Sequence, residues 1–149
     1  MRVVLQRVKY AKVSVGGEVA GQIEKGYLLL LGIGPDDTKA TAEKMLDKII
    51  KLRLFEDENG KMNLNINDVG GKILTVSQFT LYADCRKGTR PGFSEAAEPK
   101  FANEMYEYFL SLCREKLGCA EHGVFGADMQ VSLINDGPVT ILLDSRRTF

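Results

Sequence analysis

The sequence predicts a single α/β domain with a mixed, largely antiparallel, barrel-like sheet and two main helices, and three observations carry that expectation. Short runs rich in Val, Ile, Leu and Tyr are separated by glycine-marked turns. Two longer stretches repeat apolar residues at helical spacing, and no repeat, low-complexity segment or linker divides the 149 residues. A chain of this length buries a core without disulfide or metal staples, and the domain is expected to span residues 1–149.

The elements follow in order. Val3, Val4, Leu5 and Val8 lead to Gly16 and Gly17, and apolar residues resume at Val19 and Ile23, so the first two strands read as a hairpin. "YLLLLGI", Tyr27 to Ile33, is a buried strand, far short of the roughly 20 apolar residues that span a bilayer. After "GPDDT", Ala42, Met45, Leu46, Ile49 and Ile50 recur at helical spacing, with Asp37 or Thr38 as the cap. "DENGK" and "DVGGK" read as turns. "ILTVSQFTLY", Ile73 to Tyr82, returns to strand composition. Alternation puts Val76, Gln78 and Thr80 on one face and Ser77, Phe79 and Leu81 on the other, unless a bulge or bend intervenes. The second helix opens at Pro99, gathers Phe101, Met105, Phe109 and Leu112 on one face, and stops at Gly118. "MQVSLI" and "VTILLD" then flank "NDGP", which reads as another hairpin with Asp136-Gly137 at its corner and Pro138 opening the next strand.

Lys plus Arg and Asp plus Glu both number 20. No whole-molecule field draws in a polyanion, so any nucleic-acid contact must come from a local cluster. Cys85, Cys113 and Cys119 form no CxxC pair and no leader-like stretch precedes them, which fits a reduced, cytoplasmic setting. His122, the one histidine, stands in "AEHGVFG", and no GxSxG elbow accompanies it. Cys113 falls inside the second helix and Cys119 just after it, where packing is the expected role. Zinc-ligand spacing, GxxxxGK[ST] and GxGxxG are all absent, so neither metal nor cofactor is expected.

Two clusters remain. Ser77, Gln78 and Thr80 stand at a strand end, followed by Arg86, Lys87 and Arg90, a cationic loop that would suit a phosphate. The plainer reading is that the hydroxyls satisfy backbone groups and the loop is solvated. "NDGPVT", Asn135 to Thr140, is by itself a turn.

"SQFTL" followed by "KGTRPGF", with "MQVSLINDGPVT" near the C-terminus, resembles the bacterial-type D-aminoacyl-tRNA deacylases. "QRVKYAKVSV" and "GKMNLNI" are similar to that family too, so the likeness extends over essentially the whole chain. The resemblance implies a homodimeric enzyme that hydrolyses the ester joining a D-amino acid, or mischarged glycine, to the 3′-terminal adenosine of tRNA, with no membrane or DNA partner. It implies that Ser77, Gln78, Phe79 and Thr80 line the pocket. It further implies that Gly137 and Pro138, joined by a cis bond, enter the partner's pocket and reject L-aminoacyl groups. Met129 and Phe125 match positions near the aminoacyl group and the terminal adenine. Phosphate contacts are expected from whichever of Arg7, Lys9, Arg86, Lys87 and Arg90 flank the mouth. An aminoacyl ester is already activated, so positioned water, a few oxyanion donors and the substrate's 2′-hydroxyl can suffice. Two rival readings are a threonine-nucleophile acyl hydrolase using Thr80 and a non-catalytic binder of RNA ends.

Overall fold

The computed structural model describes residues 1–149. Strand β1 (Arg2–Val15) turns at Gly16-Gly17 into β2 (Glu18–Ile23), as the hairpin signal predicts, and β3 (Gly26–Gly32) follows. Helix α1 (Lys39–Lys51) and the small β4–β5 hairpin (Phe55–Glu56, Met62–Leu64) cross over to β6 (Lys72–Ser77). A 3₁₀ turn (Phe79–Tyr82), helix α2 (Pro99–Leu117), β7 (Glu121–His122) and β8 (Gln130–Asp144) complete the chain. The sheet order is β2-β1-β3-β6-β7, with β8 on the other edge of β1. Only β3–β6 and β6–β7 run parallel. No helix is long and apolar enough to cross a membrane.

The helix signals hold at residue level. Of the two cap candidates, Thr38 caps α1: its Oγ1 accepts from Thr41 N–H at 3.2 Å, and Thr41 Oγ1 returns the bond to Thr38 N–H at 3.0 Å. Asp37 faces the other way, accepting from Gly34 N–H at 2.7 Å and from the Met1 ammonium at 2.5 Å. Pro99 opens α2 and Gly118 ends it in the left-handed conformation, while Glu98 supplies a carboxylate cap to the Phe101 N–H at 2.8 Å.

Two expectations are corrected. The run from Ile73 to Tyr82 is not one strand: the Gln78 N–H makes the last ladder bond, to Leu31 O at 2.8 Å, its partner β3 ends at Gly32, and the chain then tightens into the 3₁₀ turn, with Leu81 N–H donating to Gln78 O. Nor is "NDGP" a hairpin corner. Residues 130–144 form one strand paired to β1 along its length, from Arg2↔Asp144 to Ser14↔Gln130. Between Gln6↔Thr140 and Val8↔Asn135, β1 advances two residues and β8 five, so Asp136–Val139 bulge out of the ladder. The local turn chemistry is real, but the partner strand carries the chain straight on.

A second irregularity, between Val8 and Tyr10, inserts one extra residue into β1 and reverses which face its side chains meet. Val3 and Leu5 therefore join the larger core between sheet and helices, with Tyr27, Leu29, Leu31, Leu46, Ile49, Tyr106 and Phe109. Val8, Ala11 and Val13 join a smaller core inside the curled sheet, with Ile23, Leu28, Leu74 and Val76. β3 is buried on both faces, which is why it reads as an unbroken apolar run. The curl nearly closes where β2 approaches β7: a Cβ on Gly21 would stand 2.6 Å from His122 O.

Gly21→Ala should therefore force the two strands apart and lower stability by about 1–3 kcal/mol, read as a shifted midpoint in urea denaturation. An unchanged midpoint would show that the closure tolerates a methyl group.

Candidate functional site

A cavity of about 440 Å³ opens at the carboxyl ends of the parallel strands β3 and β6. Leu31 and Ile33 supply one wall, Val76, Ser77, Gln78 and Phe79 the next, and Pro99 and Ala102 from the first turn of α2 a third. The segment from Phe125 through Met129 to Val131 forms the last. Ligand clefts in sheets with parallel strands lie outside those carboxyl ends, since the departing loops diverge there.

The ending of β6 decides the chemistry of this wall. Alternation would have sent Ser77 and Gln78 to opposite faces; the bend brings Val76, Ser77, Gln78 and Phe79 all onto the cavity. Thr80 lies outside the lining, exposed, with its Oγ1 accepting from the Gln78 carboxamide. The first bond within the 3₁₀ turn is donated by Leu81 to Gln78 O, so the N–H groups of Phe79 and Thr80 precede any acceptor of the turn. The wall thus offers a hydroxyl and a carboxamide, with the opening of the 3₁₀ turn beside them. It contains no titratable side chain.

The segment carrying Phe125 and Met129 is pinned to β6 through one atom. Thr75 O accepts from the Tyr106 hydroxyl at 3.0 Å and from the Gly123 N–H at 3.1 Å, joining α2, β6 and the chain leaving β7. Burial holds the Tyr106 hydroxyl well above the usual tyrosine range, so it remains a donor. Its ring lies 5.8 Å from that of Phe125. A Cβ on Gly123 would come within 2.6 Å of Met129 Sδ, so this glycine lets Met129 fold in against the cavity. Sequence reasoning missed Tyr106, Gly123 and the small residues Ala97, Ala102 and Ala127. Only Ala97 and Ala102 had a signal, as alanines flanking the helix-opening Pro99.

The other expected site residues sit elsewhere. Gly137 and Pro138 are exposed in the bulge of β8, their peptide bond is cis, and neither lines the cavity of their own chain. Arg7 is buried, not at the mouth. Its Nε donates to Asp136 O at 2.9 Å and its Nη1 to Leu54 O at 2.5 Å, and Nη2 stands 3.2 Å from where a Gly137 Cβ would be. His122 is outside the lining too, its Nδ1 2.6 Å from Gly123 O. Cys113 is buried and its thiol is pushed up to about 12 by that burial, which suits packing and not nucleophilic attack. Cys119 is partly buried and Cys85 exposed. No group of three or more His, Cys, Asp or Glu side chains converges as metal ligands would.

Residues 4–144 match the family described as D-Tyr-tRNA(Tyr) deacylase. A D-aminoacyl-tRNA deacylase of Thermosipho africanus is 57% identical over 149 residues, all of both chains. One of Clostridioides difficile is 56% identical over the same span, and one of Thermus aquaticus 57% identical over 97% of this chain and 95% of its own. Among solved structures, a c-Myc DNA unwinding element binding protein superposes with a TM-score of 0.90 at 44% identity, covering 97% of this chain and 98% of that one. A probable eukaryotic D-amino acid tRNA deacylase shares the fold, with a TM-score of 0.84 at 15% identity over 95% of this chain and 97% of its own.

Tyr106→Phe removes one of the two donors to Thr75 O while leaving the ring in place. It should cost about 1–2 kcal/mol in denaturant unfolding with an unchanged slope. A stability equal to the parent's would mean that the Gly123 N–H alone satisfies Thr75 O.

Proposed function

This chain belongs to the D-Tyr-tRNA(Tyr) deacylase family, and from that premise we propose how its cavity discharges a D-amino acid from tRNA. The enzyme is a hydrolase that acts on D-aminoacyl-tRNA. The observation carrying the detailed reading is a cavity wall that holds a hydroxyl and a carboxamide at the start of a 3₁₀ turn but no side chain that can take a proton near neutral pH. Such a site stabilises charge on the carbonyl oxygen and leaves proton transfer to water and substrate.

In this reading the aminoacyl group and terminal adenosine enter between Ser77, Gln78 and Phe79 on one side and Phe125 and Met129 on the other. Ser77 Oγ and the N–H groups of Phe79 and Thr80 hold the developing oxyanion, with the Thr80 hydroxyl kept in place by Gln78. Water attacks the ester carbon, the bond from that carbon to the ribose oxygen breaks, and the proton passes to the departing oxygen with help from the neighbouring 2′-hydroxyl. Free D-amino acid and tRNA leave. The absence of a base beside the Thr80 hydroxyl argues against a threonine nucleophile.

Handedness is set by exclusion, because D and L esters carry the same groups and differ only in where the side chain projects. Gly137 and Pro138 of a second copy stand where an L side chain would go, while D residues and glycine are accepted. Their exposure, and their absence from the cavity of their own chain, support a role in a neighbour's site. The free edge of β8, with Ile134 48% and Leu142 54% exposed, supports a homodimer built on that strand. Arg7 serves this wall indirectly by fixing Asp136 and crowding Gly137. The work is done on the acceptor 3′ end of tRNA in the cytoplasm.

Ser77→Ala and Thr80→Ala should each retain measurable turnover of D-Tyr-tRNA, falling by no more than about 10²–10³-fold, and His122→Asn should stay within about threefold. A terminal 2′-deoxyadenosine should make the substrate poor. Complete loss in either alanine variant, beside normal turnover of the deoxy substrate, would sink the mechanism.

The parent enzyme should discharge D-Tyr-tRNA and Gly-tRNA and spare L-Tyr-tRNA. At Gly137 a Cβ would meet Val139 Cγ2 at 2.7 Å and the Arg7 guanidinium at 3.2 Å, so Gly137→Ala must shift the wall. Its ratio of L to D hydrolysis should rise at least about tenfold, about 1.4 kcal/mol of lost discrimination. A variant as selective as the parent would place the wall elsewhere.

A further inference from the structure

The chain carries no net charge, yet its substrate is a polyanion, and the structure narrows which cations are free to meet it. Arg7 is buried and its donors face Asp136 and Leu54. Arg86 is held by Asp84 in a two-pronged pair, Nε to Oδ1 at 2.8 Å and Nη2 to Oδ2 at 2.7 Å, and its own N–H adds a third bond to Oδ1 at 3.1 Å. The Arg86 guanidinium holds the Asp84 carboxyl well below the usual carboxylate range. Lys9 lies on β1, in the exposed stretch beside Tyr10 and away from the cavity lining. Lys87 and Arg90 are exposed and take part in no ion pair.

The loop that carries these two is anchored at the cavity mouth. Asp84 and Gly92 exchange backbone bonds at 2.7 and 2.9 Å, closing residues 85–91 into a narrow turn. The next residue, Phe93, packs edge-on against Phe79 at 5.0 Å between ring centroids, and Phe79 lines the cavity. Lys87 stands three residues from Asp84 and Arg90 two from Gly92, within about 11 Å of that anchor even if fully extended. Between Cys85 and Pro91 there is no acidic residue. A rigid base, two unpaired cations and a neighbouring aromatic pair are what a charged strand leaving the cavity would meet.

We propose that Lys87 and Arg90 grip the phosphates of the unpaired RNA 3′ end just ahead of the esterified adenosine, while Arg86 and Asp84 brace the loop that presents them. The proposal rests on the reading of the cavity as the deacylation site. It assigns these two residues to substrate affinity and its salt dependence, and it gives them no part in the chemical step. Each phosphate contact to a single strand contributes a slope of about −0.7 in log affinity against log salt. Removing both should flatten that slope by about 1.4.

The test compares the parent, Lys87→Gln, Lys87→Arg, the double variant Lys87→Gln/Arg90→Gln and the control Lys51→Ala, a cation on the exposed end of α1. KM and kcat for D-Tyr-tRNA are measured from low to moderate salt, together with hydrolysis of D-tyrosyl-adenosine, which has no phosphate, and the Kd of uncharged tRNA. The double variant should raise KM about tenfold at low salt and flatten the salt slopes of both KM and Kd. Its kcat and its rate on D-tyrosyl-adenosine should match the parent's, and Lys51→Ala should behave as the parent. Lys87→Arg should restore most of the slope lost in Lys87→Gln. An unchanged slope in the double variant overturns the proposal, as does an equal loss on the phosphate-free ester, which would mean that the loop shapes the cavity. A parent without turnover overturns the deacylation reading alone, since the Kd slope for uncharged tRNA still decides whether the two cations hold RNA.

Discussion

The whole architecture depends on β1 being able to serve two cores at once. Residues Arg2–Val8 pair with β3, Ala11–Val15 pair with β2, and the opposite edge carries β8 along nearly its full length. A regular strand would present one set of alternate residues to one core throughout. The single extra residue between Val8 and Tyr10 reverses that assignment midway, so Val3 and Leu5 face the helices and Ala11 and Val13 face the inside of the curl. With the strand divided in this way the sheet can roll toward closure at Gly21, and α1 and α2 can cover the outside. The cavity lies where those two arrangements meet, with Leu31 and Ile33 from the outer core and Val76 and Val131 from the inner one in its walls.

That placement explains why the site is chemically sparse. Both cores are apolar, so a cavity between them inherits aliphatic and aromatic walls, and any ionised side chain there would be desolvated without a partner. The polar groups that do reach it come from the end of β6, where the chain leaves the sheet and its N–H groups lose their ladder partners. An activated ester needs little beyond oriented donors and water. A more demanding bond would call for a proton acceptor that these walls lack.

The sequence made the frame legible because its signals are local. Gly16-Gly17 marks a turn whatever surrounds it, Thr38 caps through its own hydroxyl, and Gly118 stops a helix because other residues resist the left-handed conformation. The two misreadings are places where distant contacts override local chemistry. Apolar residues continue past Ser77 with strand-like spacing, but the partner strand β3 ends at Gly32 and the chain folds into a 3₁₀ turn closed on Gln78 O. "NDGP" has the composition of a hairpin corner, but β1 holds both flanks in one ladder. The motif at Ser77–Thr80 could be singled out from residues alone, whereas Phe125 and Met129 had no spacing signal and stood on resemblance. Tyr106 was invisible, since a tyrosine on an apolar helix face does not announce which carbonyl it will find. The cationic loop was visible as a cluster, but which of its charges are free depends on the Asp84 pairing, a matter of geometry.

The pairing of Arg2 with Asp144 has a consequence for how the molecule is made. The first strand leaves the ribosome early and can join β2 and β3 at once, but its remaining edge must wait for the last strand. At about 5–20 residues per second the wait is roughly 7–30 s, during which a long row of unpaired N–H and C=O groups stands open. The same openness makes the nascent chain a natural client for holding factors, and contacts this distant in sequence make the final closure slow. Truncation near the C-terminus would thus leave β1 as a long open border of the sheet, and the shortened product would be driven toward self-association.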